Sequence, residues 1–346
     1  MLSPFNSSVE NGVDFPSEVP HLLVVIDTEE EFDWSQPFSR DHTSVRSMRS
    51  IEKVQNLFDA YGIVPTYVID YPIASQPDGY LPLQEILQDG RAVIGAHLHP
   101  WVTPPYTEVV NRRNSFHGNL PLDLERAKVL ALTACIQDRL GCQPIIFKAG
   151  RYGVGPNTVQ ILRELGYEVD LSVCPYMNYT REEGPDFSNA SPWPSWLGND
   201  RDLLEIPLTV GYTGFLKAWG YPAHQLIDSG FMKTLHGPGL FSRLGLLNKV
   251  WLSPEGYETW EHMELVRTLF HQGLRVFSFA FHSPSVESGC TPYVRSNAEL
   301  EQFLDKFRRF FDFFFGEMGG VASTPLEVKR KIAISSIEFQ LSTKTF

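Results

Sequence analysis

The chain carries a dense group of carboxylates directly after a short apolar run. The run, residues 22–26, is β-branched and follows Pro20, which predicts a buried strand. Asp27 and Glu29 stand two residues apart at its end, so their side chains leave the same face if the strand continues. Two carboxylates brought together repel each other unless a cation lies between them. This favours a divalent metal with one carboxylate left free as a base, and the structural alternative is an acidic helix N-terminus.

Two histidines at the end of another apolar run could complete such a site. His97 and His99 follow the run 92–96, and a period of two places both rings on one face, about 6–7 Å apart at Cα. Imidazole nitrogens bind zinc at about 2.0–2.1 Å, and two of them with a carboxylate leave open coordination positions. The alternative is a pair of hydrogen-bonded histidines in a loop. His117 is a reserve ligand.

Three further polar residues fall in or directly after strand patterns. His282 ends the run 275–281, and Arg151 stands between glycines after the run 145–148. The guanidinium could orient a carboxylate base or form a structural ion pair. Asp170 could be the partner of Arg151 or could orient His282. The residues that directly follow apolar runs are therefore Asp27, His97, His99, Arg151 and His282. We expect them to meet at the carboxyl edge of a parallel sheet.

Several aromatic residues flank these motifs. Trp34, Trp101 and Tyr152 could stack against sugar rings, as could Trp193 and Trp196. Ordinary packing is the alternative for each of them.

Strand and helix patterns alternate about seven times along the chain. The predicted strands are 22–26, 63–69, 92–96, 145–148, 167–173, 203–210 and 275–281. The predicted helices are 43–60, 81–89, 122–140, 157–165, 255–272 and 297–315. This alternation predicts an α/β fold with a parallel sheet that closes as an irregular barrel. The weak alternation over 329–341 predicts one added strand.

Composition limits the class of protein. With 346 residues, 42% hydrophobic and 20% charged, the chain fits one barrel-type domain with insertions. The net charge of −12 argues against a nucleic-acid partner. No phosphate-binding glycine loop and no serine-nucleophile elbow occurs. We expect a loose arm at 1–18 and a single domain over 19–346. That domain has an insertion at 174–255 and a C-terminal extension at 316–346.

The cysteines and the termini bear on the compartment. The four cysteines show no metal-type spacing and are expected to be free thiols in a reducing environment. The N-terminus lacks the basic start and apolar core of a signal peptide, and no apolar run reaches the roughly 20 residues that cross a bilayer. The sequence therefore predicts a cytoplasmic protein without a membrane span. Its oligomeric state is open.

These motifs, in this order, resemble the polysaccharide deacetylases of the NodB-homology group, which is carbohydrate esterase family four. Within that group the chain is most similar to the WalW-like members. The resemblance spans about residues 20–315, and the motifs that carry it are 25–34, 95–101, 147–153 and 281–285. It implies an irregular (β/α)7 barrel, a carbohydrate or sugar-conjugate substrate, and a divalent metal. Zinc is the expected ion, with cobalt, nickel or manganese as alternatives.

The family pattern also implies roles for individual residues. Asp27 matches the general base, and Arg151 matches the arginine that holds it. Glu29 and His97 match metal ligands, and His282 matches the general acid.

Two positions depart from that pattern. Thr28 follows Asp27, where the family has a second aspartate directly after the first. Trp101 stands where the family has its second metal histidine, so His99 must serve instead.

The resulting hypothesis is metal-dependent hydrolysis of an N-acetyl or other N-acyl group on a sugar or polysaccharide precursor. One alternative is hydrolysis of another C–N bond, in a cyclic amide or nucleobase, on the same fold. The other is a non-catalytic carbohydrate-binding relative. A nucleotide- or lipid-linked precursor suits a cytoplasmic location better than a finished wall polymer. The sequence does not identify the sugar.

Overall fold

The fold is taken from a computed structural model, which describes residues 12–13, 15–33, 36–198, 200–217 and 246–343. The described strands are β1 (His21–Thr28), β2 (Thr66–Ile69), β3 (Val93–Leu98), β4 (Ile146–Ala149), β5 (Val169–Asp170), β6 (Ser195–Leu197), β7 (Leu203–Glu205), β8 (Val210–Thr213), β9 (Asn248–Trp251), β10 (Val276–His282) and β11 (Val321–Ala322).

One nine-stranded sheet organises the chain. Its order is β10-β1-β2-β3-β4-β5-β7-β6, with β11 paired to β1, and only β6 runs antiparallel to its neighbour. β8 and β9 form a separate antiparallel pair. All the predicted strands are present, although the segment 203–210 divides into β7 and the start of β8. The expected α/β fold with a parallel sheet is confirmed.

The sheet curls into a half-barrel. Lys148 on β4 reaches Asp27 on β1 at 2.6 Å, although β2 and β3 lie between these strands in the sheet. A flat sheet would hold strands three places apart at about 14 Å. β1 is buried along its whole length, as expected of a central parallel strand covered on both faces.

Helices cover the outside of the sheet. They are α1 (Ile51–Ala60), α2 (Tyr71–Ser75), α3 (Pro77–Gln88), α4 (Leu122–Leu140), α5 (Thr158–Glu164), α6 (Thr259–His271), α7 (Asn297–Phe311) and α8 (Pro325–Thr343). Among the described helices, none has both the length and the apolar character needed to cross a membrane.

Phenylalanines of α7 are buried in the core against β10. Phe310 stacks on Phe279 with ring centroids 5.1 Å apart, and Phe307 meets Phe281 edge-on at 5.0 Å. Near the other end of the chain, Phe15 is buried and packs edge-on against His21. The division into arm, domain, insertion and extension stays a prediction.

The prediction of an added strand over 329–341 is wrong, because this segment belongs to α8. The backbone N–H of Thr324 donates to the Glu327 carboxylate at 2.8 Å, and the Glu327 N–H is 3.3 Å from the Thr324 hydroxyl. This reciprocal pair caps a helix start. Val328 and Ile332 are both buried, and their spacing of four residues follows the helical period.

Candidate metal centre and catalytic site

Strand register brings the predicted residues to one end of the sheet. β1 and β10 pair in parallel with Asp27 opposite His282. β3 and β4 pair in parallel with His97 opposite Lys148. Both pairs lie at the carboxyl ends of their strands, and the curl of the sheet turns them toward one another.

Three potential ligand atoms converge at this end. The Oε2 atom of Glu29 lies 3.4 Å from the Nε2 atom of His97 and 3.4 Å from that of His99. Each of these residues offers an atom within 4.8 Å of the others, and all three side chains are buried. The structure therefore unites the three residues that the sequence predicted as metal ligands.

The hydrogen bonds of the two histidines fix which ring nitrogen faces inward. The His97 Nδ1 atom is 3.1 Å from the Lys148 carbonyl, which can only accept, so Nδ1 carries the hydrogen. The His99 Nδ1 atom is 2.8 Å from a carboxylate oxygen of Glu30. Burial lowers the pKa of each histidine to about 4, so both rings are neutral. Each Nε2 atom then directs a lone pair toward Glu29.

This donor set fits a divalent cation. The His99 Nε2 atom is buried and has no hydrogen-bond partner. Burial also raises the pKa of Glu29, as for a carboxylate held away from water. A bound cation would satisfy both residues, and two imidazoles with one carboxylate form an open set of the kind that zinc enzymes use.

A carboxylate behind His99 fixes its ring. Glu30 is buried, and its second oxygen accepts from the indole Nε1 of Trp101 at 2.9 Å. That indole stacks on the His99 ring with centroids 4.3 Å apart. Only 2% of Trp101 is exposed, so it offers no open face to a sugar. The expectation of a sugar-stacking role for Trp101 is wrong, because the ring packs behind the histidine.

The candidate base is held by a lysine. The Lys148 ammonium donates to both oxygens of Asp27, at 2.6 and 2.7 Å, and both residues are buried. Burial by itself raises the pKa of Asp27, but the charge of Lys148 outweighs it and the pKa is lowered. Asp27 is therefore an ionised, fixed carboxylate.

The expectation that Arg151 holds this base is wrong. Its guanidinium donates to the Ser115 hydroxyl at 2.5 Å and to Glu182, and it stacks over Phe116 at 4.1 Å. Arg151 has a φ of 54°, in the left-handed region, and its guanidinium lies with Ser115 and Glu182 and not with Asp27. The structural ion pair, which the sequence left open, is the arrangement observed.

The candidate acid is paired with a glutamate from the end of the segment 174–255, which the sequence predicted to be an insertion. The His282 Nδ1 atom is 2.7 Å from one oxygen of Glu255, and Ser285 donates to the other at 2.5 Å. Burial lowers the pKa of His282, but the charges of Glu255 and Glu29 outweigh it and raise the pKa to about 10. The ring is therefore an imidazolium at neutral pH. Its Nε2 atom lies 3.9 Å from Asp27 Oδ2.

Asp170 has neither of the roles considered for it. It is buried on β5, accepts from the Ser172 hydroxyl at 2.5 Å, and has a raised pKa through burial. Among the described contacts it meets neither Arg151 nor His282, because its carboxyl lies against Ser172 and Glu205.

The remaining candidates divide between the site and the core. Tyr152 is half-buried beside the site, with its ring centroid 5.8 Å from the Lys148 Nζ atom, and its role as a sugar wall stays a prediction. Trp34 lies outside the described residues. His117 is not in the ligand group, since its Nδ1 atom pairs with Glu125 at 3.0 Å.

Three site residues were missed from the sequence: Glu30, Lys148 and Glu255. Lys148 stands in a quoted motif, and as a charged residue at the end of an apolar run it could have been noticed. Glu30 lies within the carboxylate run that opens the site. Glu255 lies in the predicted insertion, where no sequence pattern marks it.

Neither protein-family models nor curated proteins match the sequence. Among solved structures, one similar chain is a Mycobacterium smegmatis protein assigned as a polysaccharide deacetylase. It is 13% identical over 94% of each chain, with a TM-score of 0.51. A Pseudomonas aeruginosa PAO1 protein with the same assignment is 14% identical over 90% of each chain, with a TM-score of 0.50. The Puue allantoinase is 14% identical over 92% of this chain and 91% of that one, with a TM-score of 0.52. The chain therefore has the irregular barrel of the NodB-homology type that the resemblance implied.

Proposed function

We propose that this protein is a metal-dependent hydrolase that removes an N-acyl group, in the first instance N-acetyl, from a sugar or sugar-conjugate. One arrangement carries the proposal: three converging metal-ligand atoms beside a fixed carboxylate and an imidazolium. Two of the solved structures with this fold are assigned as polysaccharide deacetylases, which supports the choice of substrate class.

The metal ligands and the base would act in the first step, in which a water attacks the acyl carbonyl. A divalent ion held by Glu29, His97 and His99 would polarise the acyl carbonyl and lower the pKa of an attacking water toward about 7. Asp27 accepts the proton of that water on a carboxylate oxygen. Its bidentate ion pair with Lys148 keeps it ionised and immobile before the reaction.

His282 would act in the second step, in which the C–N bond breaks and the amine leaves. An amide nitrogen does not leave as an anion, so it must be protonated as the C–N bond breaks. The His282 imidazolium directs Nε2 toward the site, and Glu255 holds Nδ1 on the opposite side. The ring is therefore charged and oriented to donate its Nε2 proton to the leaving amine.

The finer assignments belong to the same proposal. We take the metal as zinc, the chain as a WalW-like member of the deacetylase group, and its location as cytoplasmic. The sequence motifs support these choices.

Metal analysis with two variants tests the proposal. The purified protein should contain a divalent metal and release acetate from N-acetylated sugars, and stripping the metal should abolish turnover. His97→Ala should lose both metal and activity, whereas Asp27→Asn should keep the metal and lose activity. Equal turnover after complete stripping refutes the proposal. Metal retained by His97→Ala and lost by Asp27→Asn would reverse the two roles.

A second candidate is hydrolysis of a C–N bond in a cyclic amide, since the Puue allantoinase shares the fold over most of both chains. The same ligand set, base and acid could serve that reaction. Product mass separates the two, because ring opening adds one water without releasing acetate. A protein that binds sugars but holds no metal would instead favour a non-catalytic carbohydrate-binding function.

A further inference from the structure

We propose that Glu30 is a positioning residue for the metal centre, and that it acts by accepting two N–H groups at once, from His99 and Trp101. This inference rests on the proposed metal site, because it concerns how one of the ligands is held.

The two oxygens of Glu30 have separate partners. Oε2 lies 2.8 Å from His99 Nδ1, and Oε1 accepts from Trp101 Nε1 at 2.9 Å. The indole then stacks on the imidazole at an interplanar angle of 22°. The His99 ring is thereby held at its edge by a hydrogen bond and across its face by a stack.

Glu30 is itself fixed from behind. Its backbone N–H donates to Asp70 Oδ2 at 2.8 Å, and Asp70 Oδ1 accepts the Ile73 N–H at 2.8 Å at the start of α2. Glu30 and Asp70 are wholly buried. The carboxylate is therefore connected to a helix N-terminus and does not depend on a flexible loop for its position.

The chemistry of the acceptor makes the proposal specific. A carboxylate accepts on both oxygens, so it can serve two N–H donors together. A glutamine of the same shape has one accepting oxygen and one donating NH2 group. In Glu30→Gln, one of the two N–H donors must face the amide NH2 group. Because the indole stacks on the His99 ring, this repulsion displaces the ring whichever way the amide turns. Metal-ligating histidines depend on such partners for ring orientation.

Three variants of the full chain test this, with Co2+ as the probe. Glu30→Gln should weaken Co2+ binding by about 10–100-fold and change the visible spectrum of the bound ion. Trp101→Phe keeps an aromatic stack but removes the indole N–H, and should bind within about tenfold of the unaltered protein. In the Glu30→Gln, Trp101→Phe double variant, the glutamine oxygen is free to face His99, so the affinity should return to that of Trp101→Phe. Circular dichroism of the metal-free proteins checks that each variant folds.

Two results would overturn the proposal. One is a folded Glu30→Gln protein with unaltered Co2+ affinity and spectrum. The other is a double variant that binds no more tightly than Glu30→Gln alone, since a merely structural role predicts losses that add.

A measurement on the unaltered protein decides the matter if the variants fail to fold. Nitrogen-15 chemical shifts of the metal-free protein should show His99 as the tautomer protonated at Nδ1, and protonation at Nε2 instead would refute the role of Glu30. If the unaltered protein binds no Co2+ or Zn2+, the proposed function fails on its own, and the tautomer still reports on Glu30.

Discussion

Replacing Lys148 by methionine tests the ion pair on which the candidate base depends. Lys148 and Asp27 have side chains only 2% and 7% exposed, and the ammonium contacts both carboxylate oxygens. Methionine keeps most of the length and the apolar stem of lysine but removes the charge. The Asp27 carboxylate would then stay buried without its main partner.

The size of the loss follows from these distances. At 2.7 Å and an effective dielectric constant of about 20, the pair attraction is about 6 kcal/mol before desolvation. Removing one partner of a buried pair costs roughly 3–5 kcal/mol in measured cases. His282 Nε2 remains 3.9 Å from Asp27 and continues to offset part of the charge. We therefore expect Lys148→Met to lose about 3 kcal/mol of unfolding free energy at pH 7.

Asp27→Asn and the double variant complete the cycle. Asp27→Asn leaves the lysine unpaired and should also destabilise, whereas Asp27→Asn, Lys148→Met buries no charge and should lose less than the sum. Urea unfolding measures all four proteins, and acetate release measures activity. Lys148→Met should lower kcat by about 100-fold, because the base is no longer held.

The sign of the pH dependence gives a further check. Lys148 lowers the pKa of folded Asp27 below its unfolded value of about 3.9. The stabilisation from the pair is therefore present above that unfolded value and is lost as the pH falls through the folded one. The difference between the unaltered protein and Lys148→Met should shrink on acidification. Two results would refute the reasoning. One is a loss of unfolding free energy below about 1 kcal/mol for Lys148→Met at pH 7, and the other is a loss in the double variant equal to the sum of the losses in the two single variants.

Three other substitutions and one control have definite outcomes. Glu255→Gln removes the carboxylate that raises the pKa of His282 to about 10, so the alkaline limb of the pH profile of kcat/KM should move to lower pH. A Cβ on Gly150 would lie 2.9 Å from Nε2 of His99, so Gly150→Ala should hold less metal than the unaltered protein when both are measured by elemental analysis. A Cβ on Gly316 would meet no atom within 4 Å, so Gly316→Ala is the control and should keep its metal. Burial lowers the pKa of His262 to about 4, so the unfolded state binds the extra proton and stability falls as the pH drops from about 6.5. His262→Gln should reduce this loss by up to roughly 3 kcal/mol in urea unfolding at pH 4 compared with pH 7, and an unchanged pH dependence would contradict it.

The parts of the site that lie at strand ends could be predicted from the sequence. Asp27 and His282 follow apolar runs, and the register of β1 with β10 places them side by side. The spacing of two residues between His97 and His99 fixed a common face for their rings. These predictions succeed because strand period and the shared edge of parallel strands are local rules.

The partners of these residues could not be predicted in the same way. Lys148 reaches Asp27 because the sheet curls, and the curl depends on packing over the whole barrel. Glu255 lies between β9 and α6, so its distance from His282 has no local signal in the sequence. The prediction that Arg151 holds Asp27 was wrong because the left-handed backbone conformation of Arg151 is rare for a residue other than glycine and leaves no signal in the sequence.

The altered motifs bear on whether the site is still in use. A buried carboxylate that faces two imidazole lone pairs costs free energy unless a partner such as a cation lies between them. Glu29 is buried against both histidines, and Trp101, which stands where the resembled family has a histidine, stacks on the His99 ring. The cation beside the candidate base is Lys148 and not Arg151, and the ion pair that the resemblance implied is present with this other partner. A carboxylate buried against two imidazole lone pairs, beside a base held by a buried ammonium, is the arrangement expected if the proposed metal centre holds an ion.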